Sequence, residues 1–353
     1  MWEMQGELGT SHAYELGGDY RPVPSFPQGL LGAELDEVRG RWKIARIVEG
    51  DPWDPKASSP LAAAGVDAAV GDRLVAVDGV DVESGHDPHS LLVDRGGRPV
   101  QLTLKRGRRA PHTVVVTPLP DETALRYRDW VEANRATVAK ATNGRAGYIH
   151  IPDMGPAGFA EFHRALLTEI DREGLVVDVR YNRGGNVSQL LLQKLMRRRL
   201  GWEVTRWREP ERFPRDAPAG PMVCVTNEMS GSDGDIFSHT FKLAGLGPLI
   251  GTRTWGGVVG IWPQQSLVDG TVTTQPEFAH WFDDVGFSVE NYGTDPDIEV
   301  VIAPQDYAAG RDLQLERAIR ELESLIEAHN PPPFDLDQRV SLTPPRLTDR
   351  ETG

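Results

Sequence analysis

The sequence predicts an α/β unit, a mixed and mainly parallel sheet covered by helices, joined to a small β-rich domain. Two observations predict the first. From residue 144 onward, short uninterrupted apolar runs (Tyr148–Ile149–His150–Ile151, then residues 175–179 and 222–226) are each followed by an amphipathic run, over residues 159–170, 187–200 and 233–243. Strands apolar on both faces and alternating with helices belong in a parallel sheet with its faces covered. A third observation predicts the second unit. Residues 42–47, 73–77, 100–104 and 113–116 read as short strands divided by the turn pairs Asp78–Gly79 and Gly96–Gly97.

The elements follow in order. Residues 1–26 are polar and rich in glycine and proline, an arm too short to fold alone. Residues 27–118 form the small β domain, with a short helical stretch at 59–64. Residues 119–142 form a connector, predicted as a helix over 123–141 carrying Trp130. Residues 143–329 form the α/β unit, with a hairpin near Val268–Asp269–Gly270–Thr271 and a closing helix over 312–328. The proline-rich, polar tail 330–353 is predicted to be disordered.

Charge and cysteine content narrow the function classes. The 353 residues carry 52 acidic against 38 basic side chains, a net charge of −14. Neither a nucleic acid nor an anionic membrane surface attracts such a chain, so neither is an expected partner. The single cysteine, Cys224, lies inside an apolar strand and excludes an internal disulfide framework. The N-terminus lacks the pattern of a signal peptide and no run is long enough to span a membrane. A cytoplasmic location is expected. No His or Cys pair has ligand spacing on a helix or knuckle, so no metal and no cofactor are expected.

The stretch NEMSGSDGDIFSH, residues 227–239, carries the chemistry. Ser232 stands between Gly231 and Gly234 on a turn from an apolar strand into a helix. That helix would aim free N–H groups and its positive dipole end at the site, which suits a developing oxyanion. Taken alone, a serine there reads first as an ordinary helix N-cap. The flanking pattern is not G-x-S-x-G, because Ser230 replaces the first glycine. A second strand-end loop, Arg180–Tyr181–Asn182–Arg183–Gly184–Gly185–Asn186, offers paired glycines. These serve either a bare backbone donor or a simple tight turn.

DVRYNRGGNVSQ, NEMSGSDGDIFSH, GTRTWGGVVGI and VENYGTDPDIEV, with SHAYELGGDY near the N-terminus, together resemble the tricorn-type serine peptidases. More distantly they resemble the C-terminal processing peptidases. The resemblance implies a crotonase-like fold and a Ser-His-Ser-Glu tetrad. In it Ser232 is the nucleophile, His12 the general base, and Ser11 the bridge from His12 to Glu290. The N–H groups of Gly185 and Asp233 form the oxyanion hole. The processing peptidases use a lysine on the segment matching 252–258, which has none here, and Lys242 is about three turns up the helix from Ser232. On the residues alone, His239 and His150 remain rival bases, and Asp295 and Asp297 remain rivals of Glu290.

The small domain, with Gln28–Gly29–Leu30–Leu31–Gly32 followed by GVDAAVGDRLVAVDGVDV, resembles a PDZ domain. The resemblance implies that Leu30, Leu31 and Gly32 offer N–H groups to a terminal carboxylate, unless the domain serves only to pack the assembly. It further implies oligopeptide substrates cut to short products, a homo-oligomer (a hexamer), and β-propeller domains ahead of this region. Glu203 is a loose match to an acidic side chain that reaches a neighbouring subunit's specificity pocket. The reading from another class is a PDZ scaffold whose peptidase-like domain binds peptides without cutting them.

Overall fold

A computed structural model describes residues 2–82, 86–331, 334–335 and 343. The expectation of disorder for 330–353 lies largely outside the described residues. The small domain is an antiparallel sheet of β1 (Ala33–Glu37), β2 (Trp42–Ile47), β3 (Arg73–Val77), β4 (Val100–Lys105) and β5 (His112–Val116), in that order, with Val80–Asp81 pairing back on β3. Leu74, Leu102, Leu104, Val114 and Val116 alternate inward and meet Leu61 and Leu92 in one core. The stretch expected as a helix at 59–64 is a single 3₁₀ turn, Pro60–Ala62.

Helix α1 (Thr123–Ala141) leads to β6 (Ala146–His150), α2 (Pro156–Glu169), β7 (Gly174–Asp178), α3 (Ser188–Leu195), β8 (Met222–Thr226), α4 (Asp233–Leu243), β9 (Leu249–Gly251), β10 (Ile298–Glu299) and α5 (Leu313–Ala328). The five strands lie in chain order and every neighbouring pair is parallel. Each strand therefore projects two apolar sets. Val176, Val223, Val225 and Ile250 face α1 and α5, whereas Leu175, Val177, Cys224 and Leu249 face α2, α3 and α4.

This corrects the reading of α1 as a connector. Val131 and Val138 are buried against the parallel sheet beside Tyr148 and Leu322, so α1 is one of the sheet's covering helices. The run 187–200 also differs from expectation. Helix α3 stops at Leu195, and Gly201–Glu203 turns into an antiparallel hairpin with Glu211–Phe213.

Parallel register brings the C-terminal ends of β7 and β8 side by side, and both loops of interest start there. The end of β7 is anchored by charge. Arg180, 2% exposed, donates through Nε and Nη2 to Asp178 and through Nη1 to both Asp312 oxygens at 2.8 Å. Asp178 also accepts from Tyr148 at 2.8 Å. Burial alone would raise the Asp178 carboxyl, but the Arg180 guanidinium holds it below its ordinary value. The N-terminal arm is not loose. Glu15–Leu16 pairs antiparallel with Val272–Thr273, on the hairpin expected near residue 270.

Candidate active site

Ser232 sits on the first residue before α4 with φ 58° and ψ −121°, a conformation sparsely populated by residues with a side chain. Three backbone bonds enforce it: Gly231 N–H to Asn182 O at 3.0 Å, Gly234 N–H to Gly231 O at 2.9 Å, and Trp255 N–H to Ser230 O at 3.0 Å. Ser232 makes no side-chain cap bond to its own helix. Its Oγ instead lies 3.0 Å from His12 Nε2. The ordinary N-cap reading of this serine is thereby set aside.

His12 reaches Ser232 because the arm is tied down on both sides of it. Thr274 Oγ1 donates to His12 O at 2.7 Å, and Asn291 Nδ2 donates to Gly9 O at 3.0 Å. The ring lies between Tyr14 and Trp255, with centroids 5.9 and 5.8 Å away. Its Nδ1 is 2.8 Å from Ser11 Oγ. For Nε2 to accept the Ser232 proton, the neutral ring must carry its own on Nδ1 and donate it to Ser11. Glu290 completes the chain. Its Oε1 accepts from Ser11 N–H at 3.1 Å, and its Oε2 from Val258 and Val259 N–H at 2.6 and 2.9 Å. Burial opposes the charge on Glu290, yet these donors and the Ser11 hydroxyl hold its pKa below the ordinary value. Burial also lowers the pKa of His12 below 6.5, more than the nearby Glu290 charge raises it. The ring is therefore neutral and able to accept a proton at neutral pH.

The glycine loop closes over the serine. The N–H groups of Gly185 and Asp233 carry no backbone bond among the described residues. Both residues line a cleft of about 790 Å³ together with Ser232 and His12. Apolar side chains dominate its far wall, among them Ile236, Val258, Trp262, Phe278 and Phe282. The Asp233 carboxylate accepts from Ser188 Oγ at 2.5 Å and Ser188 N–H at 2.9 Å, so it ties the start of α4 to the start of α3.

The rival groups lie elsewhere. His239 contacts Asp284 at 3.0 Å and Thr294 at 3.2 Å, and His150 contacts Arg180 O at 3.0 Å and Tyr127 at 3.1 Å. Asp295 accepts from Tyr292, Asp297 from Leu249 N–H, and Lys242 pairs with Asp297. Glu203 is exposed on its hairpin and does not line the cleft of its own chain.

Three residues escaped the sequence reading. Asn182 takes Gly184 N–H on Oδ1 at 2.9 Å and donates to Ile151 O at 2.8 Å, which shapes the glycine loop. Trp255 lies against Gly231, where an added Cβ would meet the ring at 2.8 Å. Asp235, fully buried, accepts from Gly256 N–H at 2.8 Å. Burial pushes its carboxyl up to about 6, against donors that include Thr254 and the N–H groups of Gly256 and Ser232. Only the spacing of Asp235 from Ser232, on the buried face of α4, could have marked it.

Residues 145–300 match the model of peptidase family S41, and residues 29–121 match that of the tricorn protease PDZ domain. Across both domains the chain is similar to the tricorn-type S41 serine peptidases. It is 50% identical over 340 residues to tricorn protease homolog 1 of Streptomyces coelicolor, covering 94% of this chain and 32% of that protein. It is 46% identical to the tricorn protease of Thermoplasma volcanium, with 93% and 32% covered. A putative tricorn-like protease C-terminal subunit of Sulfurisphaera tokodaii is 49% identical, with 90% and 37% covered. The crystal structure of the tricorn protease superposes with a TM-score of 0.86 at 44% identity, over 92% of this chain and 32% of that one. The chain thus spans about a third of the length of these relatives. No helix among the described residues is long and apolar enough to cross a membrane.

The PDZ carboxylate loop departs from what the resemblance implies. Leu30 N–H already bonds Leu119 O at 2.9 Å, and Gly32 N–H already bonds Glu122 Oε1 at 2.7 Å. Leu31 and Gly32 are buried. Two of the three donors are therefore taken within the chain, one by the antiparallel bridge to Leu119 and one by Glu122 at the N-cap of α1.

Proposed function

We propose that this chain carries the catalytic centre of a cytoplasmic, homo-oligomeric endopeptidase, hexameric by its resemblance, that cuts oligopeptides into short products. Ser232 is the nucleophile, His12 the general base, Ser11 and Glu290 the groups that orient it, and Gly185 and Asp233 the oxyanion donors. The observation that carries this reading is the 3.0 Å approach of His12 Nε2 to a serine hydroxyl that makes no cap bond.

As Ser232 Oγ bonds to the scissile carbonyl carbon, its proton passes to His12 Nε2 and the carbonyl oxygen takes the negative charge. The Gly185 and Asp233 N–H groups stabilise that oxygen. Collapse of the adduct breaks the C–N bond while His12 returns the proton to the leaving amine. Water then attacks the acyl-serine with His12 again as base, releasing the acid and restoring the hydroxyl. Glu290 stabilises the imidazolium through Ser11 without taking its proton.

Fluorophosphonate labelling with peptide mapping tests the assignment. A single adduct on Ser232, absent from Ser232→Ala, is expected. No adduct in folded, assembled protein would favour the peptide-binding scaffold.

The pH profile gives a second test. His12 must be neutral to accept a proton, so kcat/KM rises as pH rises through its pKa. Burial sets the midpoint of this acid limb below 6.5. The Glu290 charge acts in the opposite sense, so Glu290→Gln is expected to move the midpoint lower still while reducing kcat. A midpoint that moves upward would remove Glu290 from contact with the base.

A further inference from the structure

We infer that Asp235 is a positioning residue for the nucleophile, its buried and ionised carboxylate tying the Ser232 turn to the segment that seats His12 and Glu290. The inference rests on the peptidase reading and deepens it. Ser232, His12 and Glu290 come from distant parts of the chain, and their supports meet at one peptide, Trp255–Gly256. Trp255 N–H bonds Ser230 O at 3.0 Å, just before the nucleophile. Gly256 N–H bonds Asp235 Oδ1 at 2.8 Å, just after it. Gly256 O takes Asn291 N–H at 2.7 Å, next to Glu290. The Trp255 ring is one wall of the His12 seat, 5.8 Å away between centroids. Movement of this peptide therefore reaches the nucleophile, the base and the orienting carboxylate together. Gly256, with φ +90°, has no slack, since an added Cβ would stand 2.6 Å from Gly293 N.

Ser230 and Asn291 hold this peptide through their backbones. Asp235 holds it through a side chain, so its contact is one that a substitution can remove and a proton can weaken. Asp235 is the third residue of α4, and the Ser232 N–H favours its charge, as in a capping box. Thr254 Oγ1 accepts Thr294 N–H at 2.8 Å, which leaves the hydroxyl proton for Asp235. The second oxygen, Oδ2, is buried without a hydrogen bond among the described residues. Burial pushes the carboxyl up to about 6, more than these donors lower it. The charged groups on the surrounding elements are engaged elsewhere. On α4, Asp233 takes Ser188, His239 contacts Asp284 and Thr294, and Lys242 pairs with Asp297. Beside the peptide, Arg253 stands over the Tyr292 ring, Glu290 takes Ser11, Val258 and Val259 N–H, and His12 faces Ser232. A protonated Asp235 gives up an acceptor, so the tie is lost as pH falls through about 6. His12 gains its own proton below 6.5. Two protons must therefore leave before Ser232 reacts.

The test reads the second-order rate of fluorophosphonate labelling at Ser232 in the full chain, which needs no known peptide substrate. Plotted as its logarithm between about pH 4.5 and pH 8, the rate is expected to fall on the acid side with a limiting slope of about two in the wild type. In Asp235→Asn, which keeps the shape but not the charge, the slope should be about one. That variant should also label roughly 10²-fold more slowly at the alkaline end, the cost of a misplacement of about 1 Å, with unchanged circular dichroism. A residue that only stabilised the fold would leave the slope at about one in both proteins. The wild-type slope decides the matter by itself if the variant does not fold. A slope of about one in the wild type, or a folded Asp235→Asn that labels as fast as the wild type, overturns this inference and leaves the peptidase reading standing. No adduct on Ser232 in folded, assembled wild type overturns both.

Discussion

Replacing His12 by alanine is expected to lower kcat by about 10⁴- to 10⁶-fold, the range seen when the base of a serine-base unit is removed. Among the described residues, His12 is the one side chain hydrogen-bonded to Ser232 Oγ, so its removal leaves the hydroxyl without that acceptor. His239 and His150 are each engaged by other partners, and Lys242 is paired with Asp297. KM for a fluorogenic peptide should change only a few-fold, since the cleft's apolar wall remains. The residual rate should come from the oxyanion donors and from binding alone. Ser11→Ala should cost much less, because it leaves the 3.0 Å Ser–His contact and removes only the clamp on Nδ1. His239→Ala is the control, with partners Asp284 and Thr294, and is expected to change stability rather than the chemical step. Near-normal turnover by His12→Ala would remove this histidine from the mechanism.

How legible this site was in the sequence depended on distance along the chain. Ser232 and Gly184–Gly185 could be read locally, because each lies between a run of buried strand and an amphipathic helix, and parallel pairing of β7 with β8 then makes them neighbours. His12 could not. The strand that seats its arm is two residues long, Glu15–Leu16 against Val272–Thr273, too short to leave a periodicity. Family resemblance alone selected it, and likewise selected Glu290 over Asp295 and Asp297. Strand β1 was missed for a different reason. Its residues, Ala-Glu-Leu-Asp-Glu, are largely exposed at a sheet edge and read as polar loop. Helix α1 was placed correctly along the chain but misjudged as a connector. It buries a narrow stripe, with Leu125, Val131 and Val138 spaced by six and seven residues among charges, and that spacing alone does not reveal a sheet beneath it. The contact of Glu122 with Gly32 N–H has no signal in the sequence, because the two residues are 90 positions apart.

The second large effect is expected from a single methyl group. At Gly184, φ is +75°, and an added Cβ would stand 2.5 Å from Ser232 Cβ and 2.9 Å from Gly231 O. Neither contact is with the end of a flexible chain, so the glycine loop and the serine turn must move apart. The same movement shifts Gly185, whose own Cβ would be 2.0 Å from Met154 O and whose N–H is assigned to the oxyanion. A misplacement of about 1 Å costs on the order of 10²-fold, and loss of an oxyanion donor costs about 10²- to 10³-fold. Gly184→Ala is therefore expected to lower kcat by at least about 10²-fold in protein that still folds. Strain from the positive φ alone must be separated from this collision. Gly97 offers the comparison, since it has the same φ of +75° in the PDZ domain with nothing within 4 Å of its Cβ position. Gly97→Ala should lower stability by about 1 kcal/mol and leave kcat unchanged. Measured side by side in folded protein, a loss of turnover in Gly184→Ala with none in Gly97→Ala would assign the defect to the contact with Ser232 rather than to backbone strain. Unimpaired turnover in Gly184→Ala would mean that the loop is not held against the nucleophile during the reaction.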